Sequence, residues 1–232
     1  MIDTPSKTLV WDAPTRAFHW LLAGSFATAF ITAESERLRD IHVLAGYTVF
    51  GLIAFRLVWG LLGTRYARFS SWSLSPRKAI DYLRSLFTRA PQHHTGHNPA
   101  GSWAVVAMLT LLAGTAATGW LTWNEIGSGW LGDLHEGFAN ATLALIGVHV
   151  LAVIASSLLH RENLVRAMVT GFKRGVAGVP AAGKRTAVAA ALVGAVGAFW
   201  GGLIPAPGLD TRPALTATPT ATLARAAHHD DE

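Results

Sequence analysis

Five apolar runs, at positions 17–33, 41–62, 102–123, 134–159 and 186–204, alternate with short polar and charged stretches. Each is long enough to cross a bilayer core, which takes about 20 helical residues. A crossing segment must be helical, because lipid offers nothing to its backbone N–H and C=O groups. The pattern therefore predicts an all-α integral membrane protein. Lys and Arg set the expected orientation. Arg65, Arg68, Arg77, Lys78, Arg84 and Arg89 crowd the connection between the second and third runs, whereas 124–133 has no basic residue. Arg161, Arg166, Lys173, Arg174, Lys184 and Arg185 follow the fourth run. The N-terminus is thus expected in the cytoplasm, the 63–101 connection inside, the 124–133 turn outside and the C-terminus in the periplasm.

Two connecting regions and the last run have their own character. Residues 75–87 (SPRKAIDYLRSLF) place Ile80, Leu83 and Phe87 on one helical side and Arg77, Lys78, Asp81 and Arg84 largely on the other, a pattern for a helix lying on the cytoplasmic surface. The tail 205–232 is rich in Pro, Thr and Ala and is expected to be disordered. In the fifth run Ala190, Gly194, Ala198 and Gly202 recur every fourth residue, with Gly197 and Gly201 as a second pair. Small residues so spaced let helices approach closely, within the chain or in an oligomer. A plain Ala- and Gly-rich anchor accounts for the spacing equally well.

Composition narrows the functional classes. Of the 232 residues 51% are hydrophobic and only 14% charged, against roughly 25% in a soluble domain. Four or five spans use up this length and leave no room for a separate soluble catalytic domain. The net charge of +5 does not indicate nucleic acid, because the basic residues lie between apolar runs instead of on one face. Cysteine is absent, which excludes disulfides, iron–sulfur clusters and covalently attached haem. The stretch from Trp11 to Arg16 leads into the first apolar run with no cleavage site after it, so a cleaved signal peptide is not expected.

Of ten histidines, His19, His42, His135 and His149 fall within or at the edge of predicted spans. An ionisable ring there is a functional hypothesis by default, since it costs free energy unless partnered. His135 and His149 are fourteen residues apart, close to four helical turns, so both leave one face about 21 Å apart in height. That separation suits two haems stacked across one membrane. His19 begins the first span on the cytoplasmic side and His42 the second on the outer side, so depth alone pairs His42 with His135 and His19 with His149.

The chain also resembles the bacterial cytochrome b561 family, including the cytochrome b subunits of nickel–iron hydrogenases. The residues that carry the likeness are Val10-Trp11-Asp12, Pro14-Thr15-Arg16-Ala17-Phe18-His19-Trp20, His42 with Gly46-Tyr47, and Phe55-Arg56-Leu57-Val58-Trp59-Gly60 followed by Gly63 and Ala67-Arg68-Phe69. Further along stand Gly96-His97-Asn98-Pro99-Ala100-Gly101, Leu134-His135-Glu136, and His149 with Ser156 and Leu159-His160-Arg161-Glu162-Asn163-Leu164-Val165. The likeness covers roughly residues 9–173. It implies a four-helix transmembrane bundle holding two haems b on histidines matching the four above, in a domain spanning 1–173. The fifth transmembrane helix, 186–204, lies outside it.

Other polar residues have rival readings. Arg56, fourteen residues after His42, projects from the same face near the cytoplasmic haem, where it either pairs with a haem propionate or snorkels to the interface. Arg16, one turn before His19, is a second propionate candidate. His160, eleven residues after His149, is read at a quinone pocket or a propionate, with replacement of His149 as ligand or a solvated interface ring as alternatives. His97 is read as a cap of the third spanning helix, and His93, His94, His228 and His229 as loop residues.

A haem pair across a bilayer serves to move electrons between its two sides, with axial ligation, surrounding dielectric and propionate pairing tuning each haem. The resemblance implies exchange between membrane quinone and a redox partner at the periplasmic side: a c-type cytochrome, a hydrogenase-like enzyme or superoxide. No phosphate loop or zinc signature is present. Two other classes stand beside this reading. A proton-relay transporter would carry no haem, and an anchor or assembly subunit would hold a larger redox complex to the inner membrane.

Overall fold

The computed structural model of the chain describes residues 7–88, 91–174 and 183–209. Every apolar run of the sequence forms a helix. They are α1 (Ala13–Thr32), α2 (Arg39–Leu62), α4 (Pro99–Trp123), α5 (Trp130–Leu159) and α7 (Thr186–Trp200), with α3 (Pro76–Ser85) in the long connection and a short α6 (Leu164–Thr170) after α5. Local chemistry sets several of the starts. The side chains of Asp12, Ser75, Asn98 and Asn163 accept hydrogen bonds from the first-turn N–H groups of α1, α3, α4 and α6, satisfying donors that a helix start leaves free. Pro14, Pro76 and Pro99 stand in three of those first turns, where a missing N–H costs nothing.

Three segments, Glu36–Leu62, Pro99–Trp123 and Trp130–Leu159, are long and apolar enough to cross a membrane. At 20 residues α1 has the length, but Thr15, Arg16, His19, Ser25, Thr28 and Thr32 dilute its apolar character. With 15 residues α7 is shorter, rising about 22 Å. The long helices leave much of their apolar surface uncovered. α5 buries only Leu131 and Thr142, while Val148, Leu151, Ile154 and Leu158 are largely exposed. Water would penalise such a surface; lipid does not.

α1 pairs with α2, α4 with α5, and α2 also meets α4. Leu22 and Phe26 of α1, Val49 and Ile53 of α2, Leu112 of α4 and Ile146 of α5 form one apolar cluster in the middle of the helices. Its positions fall between His19 and His149 at one end and His42 and His135 at the other. A second cluster of Leu9, Val10, Trp11, Tyr66 and Ala167 sits below it. There the strand β1 (Lys7–Leu9) pairs antiparallel with β2 (Phe172–Arg174), Thr8 opposite Lys173. This clasp, with α6, was not anticipated from the hydrophobic pattern.

α7 lies along α1. The N–H of Ala13 donates to the Lys184 carbonyl at its start, and Trp200 Nε1 donates to Thr48 Oγ1 at its end, at 2.9 Å. Gly194 and Gly197 face open space within the chain. Of the tail expected to be disordered, residues 205–209 are described. Tyr47 donates to the Pro207 carbonyl at 3.0 Å and Ala206 is buried. Positions 210–232, including His228 and His229, lie outside the described residues.

Candidate cofactor site

Helix α5 is continuous across its 30 residues, so His135 and His149 keep the spacing expected of them, about 21 Å along the axis. The two levels they define differ in construction.

At the level where α2 begins, the outer one in the orientation expected from the basic loops, the rings of His42 and His135 stand 6.0 Å apart, nearly perpendicular. Each ring is tied at Nδ1 to a backbone carbonyl at 2.8 Å, His42 to Ala29 and His135 to Thr115. A carbonyl only accepts, so each Nδ1 is the protonated nitrogen and each Nε2 keeps a free lone pair. The Ala29 carbonyl lies in the last turn of α1, where helix carbonyls lack intrahelical N–H partners. Gly119 makes room for His135: a Cβ there would stand 2.8 Å from the ring. A carbonyl fixing the far nitrogen is how metal-bound histidines are usually oriented. With metal–imidazole bonds of about 2 Å, the separation of the two ring centres matches one iron held between them.

The inner level brings His19 of α1 near His149 of α5, close enough for the rings to interact electrostatically. Among the described residues the His19 ring has no backbone buttress: its Nδ1 is buried without a hydrogen-bond partner. In the same region the buried donors Nη1 of Arg56 and Nε1 of Trp72 lack acceptors, and Nδ1 of His97 is buried without a partner. Arg56 is only 3% exposed, so it does not snorkel. Its guanidinium carbon lies 4.9 Å from the centre of the Phe69 ring and 5.2 Å from that of Trp72, within cation–π range. Gly60 lets Phe69 reach this position, since a Cβ there would stand 2.2 Å from its ring.

His97 does not cap α4; Asn98 does, its Oδ1 accepting from the Gly101 N–H at 2.6 Å. His97 is instead wedged between Trp11 at 4.7 Å and Trp72 at 5.1 Å. Burial first, then the positive charges of Arg56 and Lys173 and the ring of His149, push its pKa down to about 3. Burial alone disfavours any charge, but the positive charges of Arg56 and Lys173 beside the ring favour an anion there. Carboxylates such as haem propionates fit this set of unmet donors.

The nearest carboxylate is already committed. Asp12, 1% exposed, accepts from Thr15 N–H at 2.8 Å through Oδ1, and from Trp59 Nε1 at 3.1 Å and Thr64 Oγ1 at 2.7 Å through Oδ2. It joins the start of α1 to the end of α2 and leaves Arg56 without a direct ion pair. Asp12, Trp72, His97 and Gly119 were not singled out from the sequence as site residues. Only Asp12 carried a legible signal, an Asp two places before Pro at the head of an apolar run.

The remaining candidates sit nearby. Arg16 donates through Nη1 to the Val169 carbonyl, tying α1 to α6, and its Nε is buried without a partner. His160 ends α5 and meets His93, with Nδ1 and Nε2 at 3.2 Å. Burial and His93 lower the pKa of His160. Lys173 donates to the His94 carbonyl at 3.1 Å and lies 3.8 Å from Glu162.

Residues 10–171 match the family described as prokaryotic cytochrome b561. Curated relatives include proteins named probable Ni/Fe-hydrogenase B-type cytochrome subunit. The one from Rhizobium leguminosarum bv. viciae is 23% identical over 207 residues, covering 70% of this chain and 87% of the relative. The one from Cupriavidus necator is 24% identical over 213 residues, covering 72% and 86%. No solved structure matches the chain. The chain belongs to the prokaryotic cytochrome b561 family, membrane-embedded b-type cytochromes of electron transport.

Proposed function

We propose that this member of the cytochrome b561 family holds two haems b, one on His42 and His135 and one on His19 and His149, and passes electrons between membrane quinone and a redox partner at the periplasmic face. The observation that carries the reading is the outer pair, two imidazoles 6.0 Å apart with each Nδ1 committed to a carbonyl. Haem supplies a one-electron iron couple; the chain supplies the rest. Four histidines set the positions, the α1, α2, α4 and α5 cluster excludes water between the two levels, and Arg56 compensates propionate charge at the inner level, with Arg16 Nε a further donor there. His160 serves at the inner interface beside a quinone.

In this reading α1, α2, α4 and α5 form the four-helix bundle of a 1–173 domain closed by the β1–β2 clasp. α3 lies on the cytoplasmic surface, and α7 is a fifth span beside α1, with Gly194 and Gly197 available to an oligomer. The N-terminus is cytoplasmic and the C-terminus periplasmic. The names of the relatives favour a hydrogenase-like enzyme as partner, with a c-type cytochrome as alternative.

Reduced-minus-oxidised spectra with haem quantification test the assignment. Two haems b per chain are expected, falling to one in His42→Ala and in His149→Ala, each losing a different spectral component. An unchanged haem count in either variant would falsify that ligand assignment.

A further inference from the structure

Beside the inner level, with which it shares His97, a cleft of about 470 Å³ opens in the connection between α2 and α4. Its lining includes Arg65, Tyr66, Arg68, Ser70, Ser71 and His97, and no carboxylate. Among the described residues neither arginine is in an ion pair. Arg65 lies over the Tyr66 ring, 5.8 Å from its centre. Tyr66 is 8% exposed, and its hydroxyl is buried with no hydrogen-bond partner. A buried phenol lacking an acceptor, beside two unpaired guanidinium groups and the Ser70 hydroxyl, is a donor set short of an anion, the Ser71 hydroxyl being already given to the Arg68 carbonyl at 2.7 Å.

The location narrows the anion. Leu61 and Leu62, 70% and 78% exposed, form the last apolar turn of α2; Arg65 and Arg68 follow within two turns. On the neighbouring α3 and the residues after it, Ile80, Leu83 and Phe87 are exposed. Apolar surface thus gives way to unpaired cations at the cleft, the depth at which phospholipid phosphates lie.

We infer that this cleft binds a phosphate group, with Arg65 and Arg68 pairing its charge and the Tyr66 hydroxyl donating to one of its oxygens. An anionic phospholipid headgroup and free inorganic phosphate share this chemistry. The inference rests on the membrane reading above, though not on the haem ligands.

The test uses the haem-loaded full chain, stripped of lipid in detergent. In one arm it is exchanged into nanodiscs of phosphatidylcholine with phosphatidylglycerol and the retained anionic lipid is counted by native mass spectrometry. In the other, inorganic phosphate alone is titrated. About one phosphatidylglycerol per chain is expected to be retained, reduced at least about fivefold in Arg65→Gln/Arg68→Gln and about threefold in Tyr66→Phe. Tyr66→Phe preserves the packed ring should the double variant fold poorly. Saturable phosphate binding with the same sensitivity, and no lipid retention, would assign the site to free phosphate. Retention unchanged in both variants, or no binding of either probe to the parent chain, overturns the inference. So does loss of the inner haem in the variants with lipid retention intact, which would make the cleft part of the propionate site. Haem counted in the same preparation keeps failure of the cytochrome reading separate.

Discussion

The outer and inner histidine levels use the same residue type on the same helix, yet are supported differently. His42 and His135 are oriented by carbonyls of α1 and α4, with Gly119 leaving space for a ring. His19 has no such tie, and its neighbourhood is a set of cationic and N–H donors without acceptors. In the two-haem reading proposed above, the polypeptide orients the outer ligands by itself, whereas the inner level leaves donors unmet until anionic groups arrive. Buried donors without acceptors are costly, so the inner level is expected to depend more on its ligand for rigidity.

The largest expected break in this comparison comes from Asp12→Ala. It strands Thr15 N–H, Trp59 Nε1 and Thr64 Oγ1 at the inner end and removes the carboxylate nearest Arg56. A loss of about 3 kcal/mol is expected, read as a lower thermal midpoint with preferential loss of the inner haem; preferential loss of the outer one would reverse the comparison. Gly119→Ala should act only on the outer level. Its Cβ would meet the His135 ring at 2.8 Å, and displacing a buttressed ligand weakens a metal site roughly tenfold or more. Haem retention in competition with an apo-acceptor measures this, and unchanged retention would show that the ring orientation is not needed.

Arg56→Gln sharpens the other side. Removing a buried positive charge disfavours the reduced haem, so a redox titration should show the inner potential falling by tens of millivolts while the outer one stays put. The smallest effect concerns pH. His160 titrates below its ordinary value in the folded chain because of burial and His93, so the unfolded chain takes up the proton first on acidification. Its contribution is present above about pH 6.5 and is lost as pH falls through the lowered folded value. His160→Gln should therefore flatten the acid side of the stability profile, by no more than about 2 °C in midpoint.

Much of this molecule could be read along the chain. Lipid allows a long apolar run only one backbone conformation, so the five helices follow from hydropathy, and the helical state of α3 from its two-sided pattern. Helical periodicity places His135 and His149 on one face, and the alternation of basic loops supplies the rule for pairing histidines by depth. Family membership was equally legible in the motifs around His19, Arg56 and His149.

Tertiary structure decided what periodicity cannot carry. Which carbonyl a ring nitrogen finds, as Ala29 for His42 and Thr115 for His135, depends on where separate helices come to rest. Asp12 gathers donors from positions 59 and 64, His97 slots between tryptophans 86 residues behind and 25 behind it in sequence, and β1 pairs with β2 from the far end of the 7–174 stretch. Hydropathy is a property of single segments and survives in the sequence. Partner choice among buried polar groups is a property of packing, and only the folded chain reveals it.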